Sequence, residues 1–145
     1  MRPDENAPAR PKAKGSNPDD GDQRFASEVS RYVLTPSDLA QDSPQWRVLR
    51  PGVRILDLFE GSSLCIALLS YTPGARVPLH VHTGDEHIFV LQGSQSDEHG
   101  DYKAGSYVFN PAGSRHSVHS REGCVVLIQW RAPVAFVDSD QKENE

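Results

Sequence analysis

Hydrophobic and polar positions along this chain alternate with the two-residue period of strands, and the 3.6-residue period of amphipathic helices is absent. Short β-rich runs recur at 46–49, 53–59, 64–71, 77–81, 87–91, 106–109, 117–118, 124–130 and 134–137. Turn signals separate them: Pro51-Gly52, Gly61-Ser62, Pro73-Gly74, Gly84-Asp85, Gly100-Asp101, Pro111-Ala112-Gly113 and Glu122-Gly123. Many short strands divided in this way predict an antiparallel, all-β sandwich or barrel. Ahead of them, Thr35 as an N-cap and Pro36 at the first helical position predict one short helical turn. The runs 64–69 and 124–130 are apolar on both faces. A strand of that kind needs cover on both sides, so either the N-terminal segment or a second copy of the chain must pack outside the barrel. A homodimer is the expected assembly.

At the ends the pattern fades. Residues 1–24 are rich in Pro, Lys, Asp, Asn and Gly and offer too little apolar surface to offset the entropy of ordering them. They are expected to be a disordered tail. Residues 25–45 form an arm carrying the short helical turn, 46–137 the barrel, and 138–145 an acidic tail that frays.

Bulk composition narrows the classes of partner. A 145-residue chain holds one domain, and 37% hydrophobic with 24% charged residues is the composition of a globular protein. The net charge of -5 supplies no basic stripe for phosphates, so nucleic acid is not expected as a partner. No apolar run approaches the roughly 20 residues that span a bilayer, and no secretory h-region is present, so no membrane association is expected. The cytoplasm is the expected compartment. Cys65 and Cys124 both fall in apolar runs and read as core residues, not as a disulfide.

The chemistry concentrates in two glycine- and proline-bounded segments. In the first, alternation sends His80 and His82 to the same face, with Val81 pointing away. The turn Thr83-Gly84-Asp85 is expected to reverse the chain, so that Glu86 opens a returning strand beside them. Alternation then groups Glu86, Ile88 and Val90 on one face and His87, Phe89 and Leu91 on the other. In the second segment His116 faces opposite to His119. Asp97, Glu98 and Asp101 read as shaping a polar turn. Three imidazoles and a carboxylate (His80, His82, His116 and Glu86) therefore form a candidate four-ligand site for one divalent transition metal, with Fe, Zn, Mn or Ni as the ions such ligands suit.

Gly74 to Gly93 resembles the first cupin motif, G-x5-H-x-H-x3-E-x6-G, at every fixed position. Gly105, Pro111, Gly113 and His116 match the second motif, and Ser120 stands where that motif ends in Asn. Within the cupins the chain resembles the ChrR-like branch, through Ser96 to Tyr102, Ala104-Gly105-Ser106-Tyr107, Arg50 to Arg54 and Glu122-Gly123-Cys124. The resemblance implies a single RmlC-like jelly-roll barrel, an antiparallel double-stranded β-helix, with His80, His82, Glu86 and His116 as its metal ligands. It implies a sensory or regulatory role through a small-molecule ligand. ChrR itself is an anti-sigma factor whose N-terminal zinc-binding helical domain grips a sigma factor. The first 45 residues here contain no histidine or cysteine, so that role is not expected to carry over. The alternative is an Fe(II)-dependent cupin dioxygenase acting on a diketone, hydroxyketone or phenolic substrate, with Glu86 as the catalytic base. A metal-assisted isomerase is a third option.

Overall fold

The computed structural model describes residues 31–137. The expected tails at 1–24 and 138–145, and the start of the arm, lie outside the described residues. Helix α1 (Pro36–Leu39) follows Thr35. The Thr35 N–H donates to Asp38 Oδ2 at 2.8 Å and the Asp38 N–H donates to the Thr35 carbonyl at 3.0 Å, which closes the single turn at its start. Ten strands follow in chain order: β1 (Arg47–Arg50), β2 (Val53–Glu60), β3 (Cys65–Tyr71), β4 (Arg76–His82), β5 (Glu86–Asp97), β6 (Gly100–Lys103), β7 (Tyr107–Asn110), β8 (Arg115–His119), β9 (Cys124–Trp130) and β10 (Val134–Phe136).

All strand pairs are antiparallel, in the order β1-β2-β3-β9-β5-β8-β4-β10, with β6 and β7 also on β5. One sheet holds β1, β2, β3, β9, β7 and the first half of β5. The other holds β10, β4, β8, β6 and the second half of β5. The two curl over each other as the jelly roll that the resemblance implies.

Two features differ from the sequence expectation. The turn after His82 does not build a hairpin. Strand β4 pairs with β8 and β10, whereas the start of β5 pairs with β7 and β9. The turn instead carries the chain from one sheet to the other, so Glu86 meets His82 across the barrel interior. Strand β5 also runs to Asp97, well beyond the expected 91, and β6 occupies positions where the sequence predicts only a turn. A register shift between Val90 and Gln92, with Gly93 at φ 69, lets β5 leave one sheet and join the second. Its far half carries polar residues on both faces, which hides the alternation. Gln95 and Ser96 are buried there, and Ser96 Oγ bonds Asp101.

The core lies between the sheets and includes Val53, Ile55, Ala67, Leu69, Tyr71, Ile88, Val90, Val118, Cys124 and Val126. Each fully buried valine or leucine contributes about 1.5–3 kcal/mol. Outside the first sheet, Trp46 packs on Leu56 and Leu68, with Leu39 of α1 against them. The Trp46 indole N–H donates to the Ala40 carbonyl at 2.8 Å. The N-terminal arm therefore supplies part of the cover that the two-faced strands demand. Phe89, Leu91, Tyr107 and Phe109, farther along the same outer face on β5 and β7, remain exposed.

Candidate metal centre

The site grows from strand alternation. His80 and His82 are buried in β4 with Val81 between them turned outward. His116 in β8 sits directly opposite His80 in the ladder, which puts it on the same interior face. The three rings meet edge to face, with centroids 5.1 Å apart for His80 and His82 and 4.7 Å apart for each pair involving His116. They are 4%, 2% and 3% exposed, and one nitrogen from each lies within 4.8 Å of the others.

What turns this cluster toward a cation is the other nitrogen of each ring. His80 Nδ1 lies 2.8 Å from the Pro78 carbonyl, and His82 Nδ1 lies 3.1 Å from the Ser114 carbonyl. His116 Nδ1 lies 3.1 Å from Asp97 Oδ2. A carbonyl or carboxylate only accepts, so each Nδ1 carries the proton and each Nε2 presents a lone pair. His82 Nε2 and His116 Nε2 are buried and have no hydrogen-bond partner. An unpaired buried acceptor costs about 1–3 kcal/mol, and a shared cation removes that penalty. The residues fit a divalent transition metal.

Glu86 occupies the facing wall. Its Oε1 is 3.2 Å from His82 Nε2, yet the two are not aligned as donor and acceptor, which suits two groups turned to a common point. The Asn110 amide donates to the same oxygen at 3.2 Å. The sequence expectation thus finds its three histidines gathered, with the carboxylate beside one of them. His87 stacks on Tyr107 and lies tilted against Phe109 on the outer face, and His119 is outside the cluster, as alternation requires.

Burial lowers the pKa of His80, reinforced by the neighbouring His116 and His82 and opposed by the Pro78 carbonyl. Burial works on His82 in the same sense, but the Glu86 carboxylate outweighs it and the His82 pKa is raised. Burial also pushes the Cys124 thiol up to about 11, which keeps it in the thiol form.

Asp97 and Asn110 were not legible as site residues. Asp97 does shape its turn, accepting from the His99 and Gly100 N–H groups at 2.8 and 3.2 Å. Its side chain also takes the Tyr102 hydroxyl at 2.9 Å while its other oxygen holds His116. Only the β5–β6 hairpin, which the polar pattern concealed, brings it beside β8. An outer carboxylate of this kind orients its histidine, and its removal typically costs 10–100-fold in metal affinity. Asp97→Asn should therefore weaken zinc binding by about tenfold in a chelator-competition titration, whereas Asp101→Asn should leave it within about twofold.

A family model described as the ChrR Cupin-like domain matches residues 39–133. The chain is 34% identical over 94 residues to the anti-sigma-E factor ChrR of Cereibacter sphaeroides, covering 63% of this chain and 44% of that protein. It therefore spans less than half the length of that relative. Among solved structures, an acetylacetone dioxygenase from Acinetobacter johnsonii superposes with a TM-score of 0.66 at 17% identity, covering 77% of this chain and 80% of that one. A chain from the complex of Rhodobacter sphaeroides SigE with the anti-sigma ChrR superposes at 0.57 and 23% identity, covering 74% and 73%. At these identities the structural likenesses concern the fold. Among the described residues no helix is long and apolar enough to cross a membrane.

Proposed function

This chain belongs to the ChrR cupin-like family, and from that premise we propose that it is a metal-binding sensory or regulatory protein. His80, His82, His116 and Glu86 would hold one divalent transition metal, Fe, Zn, Mn or Ni, and a small molecule or oxidant would act by altering that site. The observation that supports this reading is the set of three anchored Nδ1 atoms, which leaves buried Nε2 lone pairs facing one another.

A second reading, an Fe(II)-dependent dioxygenase for a diketone, hydroxyketone or phenol, is favoured by the placement of Glu86. A carboxylate held by Asn110 at the edge of a three-histidine cluster would take a proton from a bound substrate, the general-base role. Iron would supply the binding and activation of dioxygen. Elemental analysis of tag-free protein separates the two. Tightly bound zinc, with a change in circular dichroism or tryptophan emission on oxidant addition, supports the sensor. Bound iron with oxygen uptake on such substrates supports the enzyme. A folded protein that binds no divalent metal overturns both.

The exposed outer face of Phe89, Leu91, Tyr107 and Phe109 supports a homodimer, and thiols without a disulfide would suit the cytoplasm. Light scattering should give twice the chain mass for the natural protein. Phe109→Glu together with Phe89→Asp should give a monomer that still binds metal; an unchanged dimer would place the interface elsewhere.

A further inference from the structure

Among the described residues, three buried side-chain atoms lack any hydrogen-bond partner: His82 Nε2, His116 Nε2 and Arg50 Nη1. A metal accounts for the two imidazoles. It cannot account for a guanidinium, which only donates and is always charged. Buried donors without acceptors are rare and call for an explanation, and the buried Nη1 of the half-buried Arg50 calls for an acceptor.

Arg50 is placed to find one on the same ligand that reaches the metal. It pairs directly with Val53 across the β1–β2 ladder, and Val53 is wholly buried in the interior core. Directly paired residues share a face, so Arg50 also points inward. Its guanidinium carbon lies 4.9 Å from the centroid of the Phe136 ring. Phe136 pairs with His80 across β10–β4, and its ring meets the His80 ring at 5.8 Å. Strands β1 and β10 are the two ends of the strand order. The Arg50–Phe136 contact therefore bridges the seam where the curled sheet fails to close, and Phe136 is exposed there. Burial raises the pKa of Tyr71, and the Arg50 charge works against that rise.

The neighbouring arginine is a contrast. Arg47 has its carboxylate, Asp57, at 3.3 Å. The ion pairs among the described residues give Arg50 none.

We propose that Arg50 anchors an anionic group, a carboxylate, at one end of a small organic ligand whose other end reaches the His80/His82/His116 centre. This rests on the metal reading above and narrows its ligand class to small organic anions with two oxygen-bearing ends. The ligand's carbon chain would lie along Phe136, and its terminal carboxylate would satisfy Nη1 in a charge-assisted bond.

Glutarate and pentanoate test it, being five-carbon chains that differ only in the second carboxylate. In calorimetric titrations of zinc-loaded protein, glutarate should bind about tenfold to hundredfold tighter than pentanoate, the range for a buried charge-assisted bond. Arg50→Gln should abolish that preference while leaving zinc affinity and pentanoate binding unchanged, and Arg50→Lys should restore part of it. Equal binding of the two acids, or a preference that survives in Arg50→Gln with zinc bound, overturns the proposal and leaves the metal reading standing. A natural protein that does not bind zinc or another divalent metal overturns both. A purely structural role for Arg50 on Phe136 would lower the melting temperature of Arg50→Gln without moving the ratio of the two acids.

Discussion

His82→Ala should lose metal affinity by more than about 100-fold, exceeding the effect of an outer-shell change, while keeping its β-sheet circular dichroism. The side chain is fully buried, its Nδ1 is held by Ser114, and its Nε2 faces the cluster with Glu86 alongside. Removing it takes away one of three converging nitrogens and leaves the carboxylate without the imidazole beside it. His87→Ala and His119→Ala should retain metal within about twofold, because their side chains lie on the opposite faces of β5 and β8. Inductively coupled plasma analysis after dialysis reads all three. Equal loss in the three variants would contradict the strand register, since a slip of one residue turns every side chain over.

Gly93→Ala should destabilise the fold by about 3 kcal/mol or more, combining a left-handed backbone with a steric overlap. At φ 69, a β-carbon there would sit 2.0 Å from the Gly123 carbonyl oxygen and 3.0 Å from the Cys124 α-carbon. Both neighbours are backbone, Cys124 paired with Gly93 in the β5–β9 ladder and Gly123 just before it, and neither can swing aside. For a domain of this size the melting temperature should fall by more than about 12 °C. Gly74→Ala and Gly105→Ala are the controls. They also have positive φ, 85 and 92, but nothing lies within 4 Å of the added carbon, so each should cost only about 1–2 kcal/mol from the backbone itself. Equal losses at all three glycines would show that the close approach at Gly93 is relieved by local movement.

These two predictions draw on different kinds of information. The facing of His80, His82, Glu86 and His116, and the turning away of His87 and His119, follow from alternation within single strands. Each is a local property, readable over a few residues, and the motif spacing from Gly74 to His116 made the histidine cluster legible before any fold was known. The length of β5 was not legible, because its second half is polar on both faces and switches sheets at Gly93. Nor was the destination of the turn after His82. A turn signal states that the chain reverses locally; the ladder it joins is settled by pairing with β7 and β9, tens of residues away.

The sequence by itself determined the all-β class, the cupin family and the inward set of candidate metal ligands, because strand periodicity and motif spacing are short-range and tied to the backbone's two-residue repeat. Tertiary structure alone decided that Glu86 approaches His82 from the opposite sheet, that Asp97 holds His116, that Asn110 holds Glu86, and that Arg50 reaches Phe136 across the seam. Each of these contacts joins residues on different strands. Their meeting depends on strand order and curl, set by the packing of the whole core, and no local pattern of polarity encodes it.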